Sequence, residues 1–329
     1  MKLTAFSKIL ITLLVLGVLY FLYTKFFRPA LATGGGAVTE QVEQKSKVPA
    51  STKPSGGSSA ARKTFDYTSP KPVGGKLKGV VELGASGFNS FIVDIDRAKN
   101  WELKKAEWGN SMVYDNMASA DDIRAGLKRY ITNILDYGVD GKNVHFVVSS
   151  GAQKVSSTQK IITQLKKMGY VVNTVTPEQE AGYALNAAMP SSFSNSAFVV
   201  DIGSGNTKIS WVQSGGSTRG LESYGAKYYK NNTDDETVYR DVLSKAKQVP
   251  MNRRSTCFMI GGVPYKLAKE VRQGKERYTV LKAPEGYNAE GAKMKSGLNI
   301  YRAIRDATKC DQYVFDWDAN FTIGFLLGL

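Results

Sequence analysis

Histidine is almost absent from this chain: His145 is the only one among 329 residues. One imidazole cannot build a His-rich zinc cage, and a His-based catalytic triad would have to use this residue. Its setting, the run VHFVV, reads as a strand and makes it a core or strand-edge side chain. Cysteine is nearly as scarce. Cys257 and Cys310 have no metal-ligand spacing, and both read as reduced and structural. Acidic residues are in deficit, 29 Asp/Glu against 44 Lys/Arg, for a net charge of +15. No basic block is interleaved with aromatics, so nucleic acid is the lesser reading of that charge. Long apolar runs are missing too, with one exception.

The exception is Ile9 to Tyr23, preceded by Lys2 and Lys8 and followed by Lys25 and Arg28. Extended through Phe27 it would form a helix about 28 Å long, close to the thickness of a bilayer core if Lys25 snorkels. Residues 1–28 are therefore expected to be a single-pass membrane anchor. Ala30-Leu31-Ala32 keeps a cleavable signal peptide open, although the charges before it argue against cleavage. Flanking charges barely differ, so orientation stays open. Residues 29–76 are mostly small, polar or basic, which predicts a disordered linker spanning on the order of 35–40 Å. Residues 1–76 hold eleven Lys/Arg and three Asp/Glu, leaving 33 basic and 26 acidic residues in the remainder. That moderate excess suits anionic small molecules, nucleic acid or a membrane surface.

The rest is organised around Phe198 to Val212, FVVDIGSGNTKISWV. A β-branched run ends in Asp201, small residues follow, and alternation resumes through Thr207, Ile209 and Trp211. This predicts a β-hairpin with a tip of Gly203, Ser204, Gly205 and Asn206. Such a tip can present backbone N–H groups to a phosphate, and Asp201 beside it could hold a divalent cation. The pattern occurs twice. Val80 to Val93 reads VVELGASGFNSFIV, with Glu82-Leu83-Gly84 in the place of Asp201-Ile202-Gly203, 119 residues earlier. Copies so far apart predict two similar lobes with facing tips rather than a solenoid.

Both halves have the element order βββαβαβα, with one further helix in the second. The first has strands at 80–84, 88–95 and 101–108, a helix capped by Ser119, strand 144–149, helix 156–168, strand 170–175 and a helix from Pro177. The second has strands at 197–202, 206–213 and 216–223, then a helix after Thr233 with a capping box to Glu236. Strand 255–260, helix 264–273, a polar excursion to about 288, helix 290–307, strand 312–316 and a helix from Ala319 complete it. The fold class is α/β, duplicated, with mixed sheets and a central cleft.

These paired hairpins, the turn at Gly261-Gly262 and the segment TPEQEAG resemble the actin-like ATPase superfamily, with its ribonuclease H-like lobes. Within it they most resemble the exopolyphosphatase/guanosine-pentaphosphatase (Ppx/GppA) family. VELGASGFNSF is similar to that family's D-L-G-S-N-S-F motif, TPEQEAG to S-G-x-E-E-A, and VVDIGSGNTK to V-D-I-G-G-G-S-T-E. The ending YRAIRDATKCDQYVFDWDANFTIGFLLGL is similar to its last helix–strand–helix. The resemblance covers roughly 78–329 and implies lobes at 77–192 and 193–329. It implies removal of a terminal phosphate from polyphosphate or a guanosine polyphosphate, with a divalent cation such as Mg²⁺ and a glutamate base, here Glu180. Asp201 and Glu82 would be the metal ligands. Gly84, Ala85, Ser86, Gly87, Lys154, Gly203, Ser204, Gly205, Asn206, Thr207, Lys208, Gly261 and Gly262 would bind phosphate. The resemblance admits a homodimer, and a nucleotide or polyphosphate pool favours the cytoplasmic side of the membrane.

Elementary chemistry allows the base. Thr176 caps a helix, Gln179 completes a capping box and Pro177 suits the first turn, which places Glu180 where a strand gives way to a helix. Several residues depart from the family pattern. Glu82 replaces an aspartate, Ala85 and Ser86 a serine and an asparagine, Lys154 an arginine, and Lys208 the glutamate of G-S-T-E. The last change moves local charge by two units. Two readings therefore stand beside the phosphatase: a catalytically degenerate protein that binds a nucleotide or phosphate chain, and an actin-like scaffold for partner proteins.

Overall fold

In a computed structural model describing residues 64–84, 87–108, 119–153 and 155–329, the two β-branched runs become central strands of two mixed sheets. The first half forms β1 (Lys76–Gly84), β2 (Gly87–Ile95), β3 (Trp101–Trp108), α1 (Ala120–Asp136), β4 (Val144–Val148), α2 (Ser156–Lys167), β5 (Val172–Thr174) and α3 (Pro177–Ala188). The second forms β6 (Ala197–Ile202), β7 (Asn206–Val212), β8 (Thr218–Tyr224), α4 (Asp235–Ala246), β9 (Thr256–Ile260) and α5 (Gly262–Lys269). It continues with β10 (Tyr278–Val280), α6 (Gly291–Thr308), β11 (Gln312–Asp316) and α7 (Phe321–Leu327).

The first sheet has the order β3-β2-β1-β4-β5, antiparallel through β1 and parallel beyond it. The second repeats that pattern as β8-β7-β6-β9-β11 and adds β10 antiparallel at the edge. The duplication is thus one of topology, and the fold is α/β with two mixed sheets. Every residue of β6 is buried, as the apolar run AFVV requires of a central strand covered on both faces. In α1 the stripe Ile123, Leu127, Tyr130, Ile131 and Ile134 is buried, as its helical spacing predicts.

Two helices exchange sides. α3 follows the first sheet but packs on β6, β7 and β8, whereas α7 ends the second and packs back on β1 and β2. They also pack on each other, and their apolar faces join both sheets in one core that includes Val80, Leu185, Val199 and Ile323. A Cβ on Gly324 would lie 1.8 Å from the carbonyl oxygen of Tyr183, so only glycine permits this approach.

Some local expectations are corrected. The cap of α4 is Asp234, whose carboxylate accepts the Thr237 N–H at 2.8 Å, not Thr233. α5 starts at Gly262, directly after the glycine turn. The polar excursion contains β10, which is too short for its periodicity to show. The linker expected to run to residue 76 gives way earlier to a packed segment. The Phe65 ring lies 5.4 Å from Phe193 and 5.5 Å from Phe258, and Tyr67 lies 5.7 Å from Tyr278. Farther along, the Val73 N–H donates to Asp96 at 3.1 Å. Two aromatic rings suffice to dock this stretch although the residues around them are polar. The anchor expected over 1–28 and the linker up to 63 lie outside the described residues. Among the described residues no helix is long and apolar enough to cross a membrane. His145 sits half-buried on β4, edge-on to Phe325, and burial pushes its pKa down.

Candidate functional site

The two hairpins place equivalent carboxylates near the C-terminal ends of equivalent strands. On β1, Glu82 pairs with Asn89 of β2; on β6, Asp201 pairs with Lys208 of β7. In this register Asn89 and Lys208 are counterparts. Glu180 joins them from the first turn of α3. That helix begins as its sequence predicts: the Thr176 hydroxyl accepts the Gln179 N–H at 3.2 Å, and Gln179 Oε1 accepts the Thr176 N–H at 2.9 Å. All three carboxylates are buried and line one cavity of about 340 Å³.

Around them the cavity gathers Gly84, Gly203, Ser204, Gly205, Asn206, Lys208, Gly261 and Gly262. Gly87 pairs with Gly84 across the first tip. Thr207 is a correction: strand alternation turns it away from the cavity, fully buried, with no partner for its hydroxyl among the described residues. Ala85, Ser86 and Lys154 lie outside the described residues. The Gly203 N–H closes the second tip on the Asn206 carbonyl at 3.0 Å. Gly261 has φ +100°, and a Cβ there would lie 2.5 Å from Asp201 Oδ1, so this turn and the carboxylate are fitted to each other.

Lys208 holds the arrangement together. Its ammonium, almost wholly buried, forms an ion pair with Glu180 Oε1 and donates to Asn206 Oδ1. The other oxygen of Glu180 accepts the Ser150 N–H at 2.8 Å and the Ser150 hydroxyl. Asn206 Nδ2 donates to Ser150 Oγ at 2.9 Å and to Glu222 at 2.6 Å. This closed network bridges the two sheets and leaves both oxygens of Glu180 engaged. Glu82 is held by Asn89 at 2.9 Å and by Asn320, just before α7, at 3.0 Å. Among the described residues, Lys208 is the one ammonium hydrogen-bonded to any of these three buried carboxylates. Burial pushes Glu82 up to about 7, with Asp201 and Glu180 adding to the rise and the two asparagines opposing it. Burial likewise pushes Asp201 up to about 6, against the pull of Lys208.

Sequence reasoning missed Ser150, Asn89, Asn320 and Lys293, because their roles depend on strand pairing or on contacts between halves. Lys293, at the start of α6, lines the cavity near Gly262. Burial, with Lys227 and Lys266 nearby, pushes it down to about 8. A larger cavity of about 490 Å³, lined by Tyr67, Trp101 and Arg277 among others, has no carboxylate among the described residues of its wall.

Comparison with solved structures decides the fold. The Aquifex aeolicus member of the Ppx/GppA protein family superimposes over 77% of this chain and 97% of its own, with a TM-score of 0.56 and 17% identity. An exopolyphosphatase from Cytophaga hutchinsonii matches over 77% and 99%, with a TM-score of 0.58 and 12% identity. This chain has the Ppx/GppA fold. No family model and no curated protein matches its sequence. In the Ppx/GppA fold found here, the two hairpins and α3 converge on one cavity, and Lys208 places a cation beside Glu180.

Proposed function

We propose that this chain binds a phosphate chain, either polyphosphate or a nucleotide polyphosphate, in the cavity between its sheets and hydrolyses the terminal phosphate. One observation carries the reading: Glu180, Asp201 and Glu82 converge on a single cavity whose rim is formed by the glycine turns at 203–205 and 261–262. The Ser204 and Gly205 amides, with Lys293, would receive phosphate oxygens. Glu180 would orient a water and take its proton once Lys208 turns from it toward the incoming phosphate. Before that exchange the glutamate is fully engaged, so substrate would itself release the base.

The residues present fit a hard divalent cation. Asp201 and Glu82 offer carboxylate oxygens, and burial, with neighbouring carboxylates adding to it, disfavours their ionised forms, a cost that a cation would relieve. Among the described residues no group of three His, Cys, Asp or Glu side chains could hold a metal alone. Phosphate oxygens and water would therefore complete the shell, as suits Mg²⁺. Such an ion would neutralise charge on the transferred phosphoryl group. The apolar run Ile9–Tyr23 adds the proposal that the catalytic part is tethered to a membrane, with the cytoplasmic side favoured by its substrates; carbonate extraction of membranes from expressing cells tests it.

The Lys208–Glu180 ion pair favours a second reading, a protein that binds the same ligands without turnover. Glu180→Gln separates the two. Removal of a general base lowers turnover of inorganic tripolyphosphate about 10²–10⁴-fold while affinity stays within a few-fold of wild type. Equal turnover by both proteins removes Glu180 from catalysis. Binding without turnover in either establishes the second reading.

A further inference from the structure

The cavity lining is of two chemical kinds: the carboxylates, Lys208 and the glycine turns on the one hand, and aromatic rings, among them Trp108 of β3 and Tyr265 of α5, on the other. These two rings come from different halves of the chain, one from a strand and one from a helix, with centroids 6.1 Å apart and planes inclined by 34°. Both are fixed from behind by edge-on contacts. Trp108 stands against Phe91 at 5.2 Å and 82°, and Tyr265 against Trp317 at 5.4 Å and 70°. Trp317 is itself pinned by the Arg272 guanidinium, 3.7 Å from its ring centroid. Trp108 is nonetheless 55% exposed and Tyr265 37% exposed, an unusual state for large rings held in such fixed orientation.

Resting on the phosphate-site reading above, we propose that Trp108 and Tyr265 form a clamp for a planar base, so that the ligand is a nucleotide polyphosphate rather than inorganic polyphosphate. A phosphate chain has no apolar part with which to cover these rings, and its charges would lose water against them without compensation. A nucleotide matches both kinds of lining at once. A base between the rings needs two carbon–carbon contacts of 3.5–4.0 Å, a ring separation of roughly 7–8 Å. The present separation falls short by roughly one to two ångströms, so the rings must part by that much as the base enters. The edge-on supports keep both rings in place without ligand, so little side-chain freedom is lost on binding.

The test compares GTP with inorganic tripolyphosphate, which share three phosphates and differ by the nucleoside. Isothermal titration of the full chain, with wild type, Trp108→Ala, Tyr265→Ala and Trp108→Phe, reads both affinities. Wild type is expected to prefer GTP roughly ten- to hundred-fold, the range typical of base–aromatic stacking. Either alanine variant should abolish most of that preference by weakening GTP alone, and Trp108→Phe should retain it. Quenching of tryptophan fluorescence by GTP, absent in Trp108→Ala, reports the contact directly. Equal affinity of wild type for the two ligands overturns the clamp and leaves the phosphate site standing. Equal weakening of both ligands by Trp108→Ala also overturns it and makes the ring pair a latch between the halves. Binding of neither ligand to wild type overturns the phosphate site and the clamp together.

Discussion

Replacing Lys208 with methionine tests how the cavity is held together. Methionine keeps the apolar stem and removes the ammonium, which is the only cation hydrogen-bonded to the buried carboxylates Glu82, Glu180 and Asp201 among the described residues. Breaking a buried ion pair by removing one partner costs about 3–5 kcal/mol, because the remaining charge is left desolvated. The upper part of that range is expected at pH 8. There Asp201, whose folded pKa is about 6, and Glu82, at about 7, are mostly ionised and lie beside Glu180. At pH 5 both hold protons, so the repulsion falls and the loss should shrink by a kcal/mol or more, roughly one unit of pKa in equivalent energy. The double variant Lys208→Met/Glu180→Gln removes both charges of the pair and should recover most of the loss. Urea unfolding followed by tryptophan fluorescence, at pH 8 and pH 5, gives all four corners of this cycle. A loss below about 1 kcal/mol at pH 8, or one that is the same at both pH values, would refute the claim that Lys208 neutralises this cavity.

Glu82→Gln probes the raised carboxyl itself. A folded pKa of about 7 against an ordinary 4.5 means that the native state holds the extra proton between those values. Ligand-free stability therefore falls as pH rises through that window, with the penalty complete above pH 7. Glu82→Gln should remove about 3 kcal/mol of this penalty at pH 8 and nothing below pH 4.5. Thermal melts across the range check it, and identical pH slopes for both proteins would count against a shifted Glu82. Gly261→Ala should cost about 1–3 kcal/mol for its left-handed backbone, and displace Asp201 besides. Its tripolyphosphate affinity should fall more than about tenfold. Gly182→Ala in α3, where a Cβ would meet only the Thr218 methyl at 3.8 Å, is the matched control; equal affinities for the two variants would remove the Gly261 turn from the ligand site.

Much of this architecture was legible in the chain. Period-2 alternation and β-branched runs are backbone-level properties, so β3, β6 and β11 have the bounds that their sequences predict. The paired motifs around Glu82 and Asp201 announced the duplication because equivalent strands need equivalent residues, and the strand register then placed the two carboxylates alike. The Thr176–Gln179 capping box involves partners three residues apart, so it too could be read directly. What only the tertiary structure decided are contacts between distant residues. Lys208 reads as a phosphate ligand on its own strand, and becomes the partner of Glu180 only when α3 crosses to the second sheet. Ser150 and Asn320 acquire roles only because carboxylates 30 and 238 residues away arrive beside them. The packing of Phe65 and the meeting of Trp108 with Tyr265 are of the same kind. Local sequence determines which way a side chain points from its strand or helix; which group it meets depends on how the two sheets and the exchanged helices close on one another, where burial forces charges to find partners.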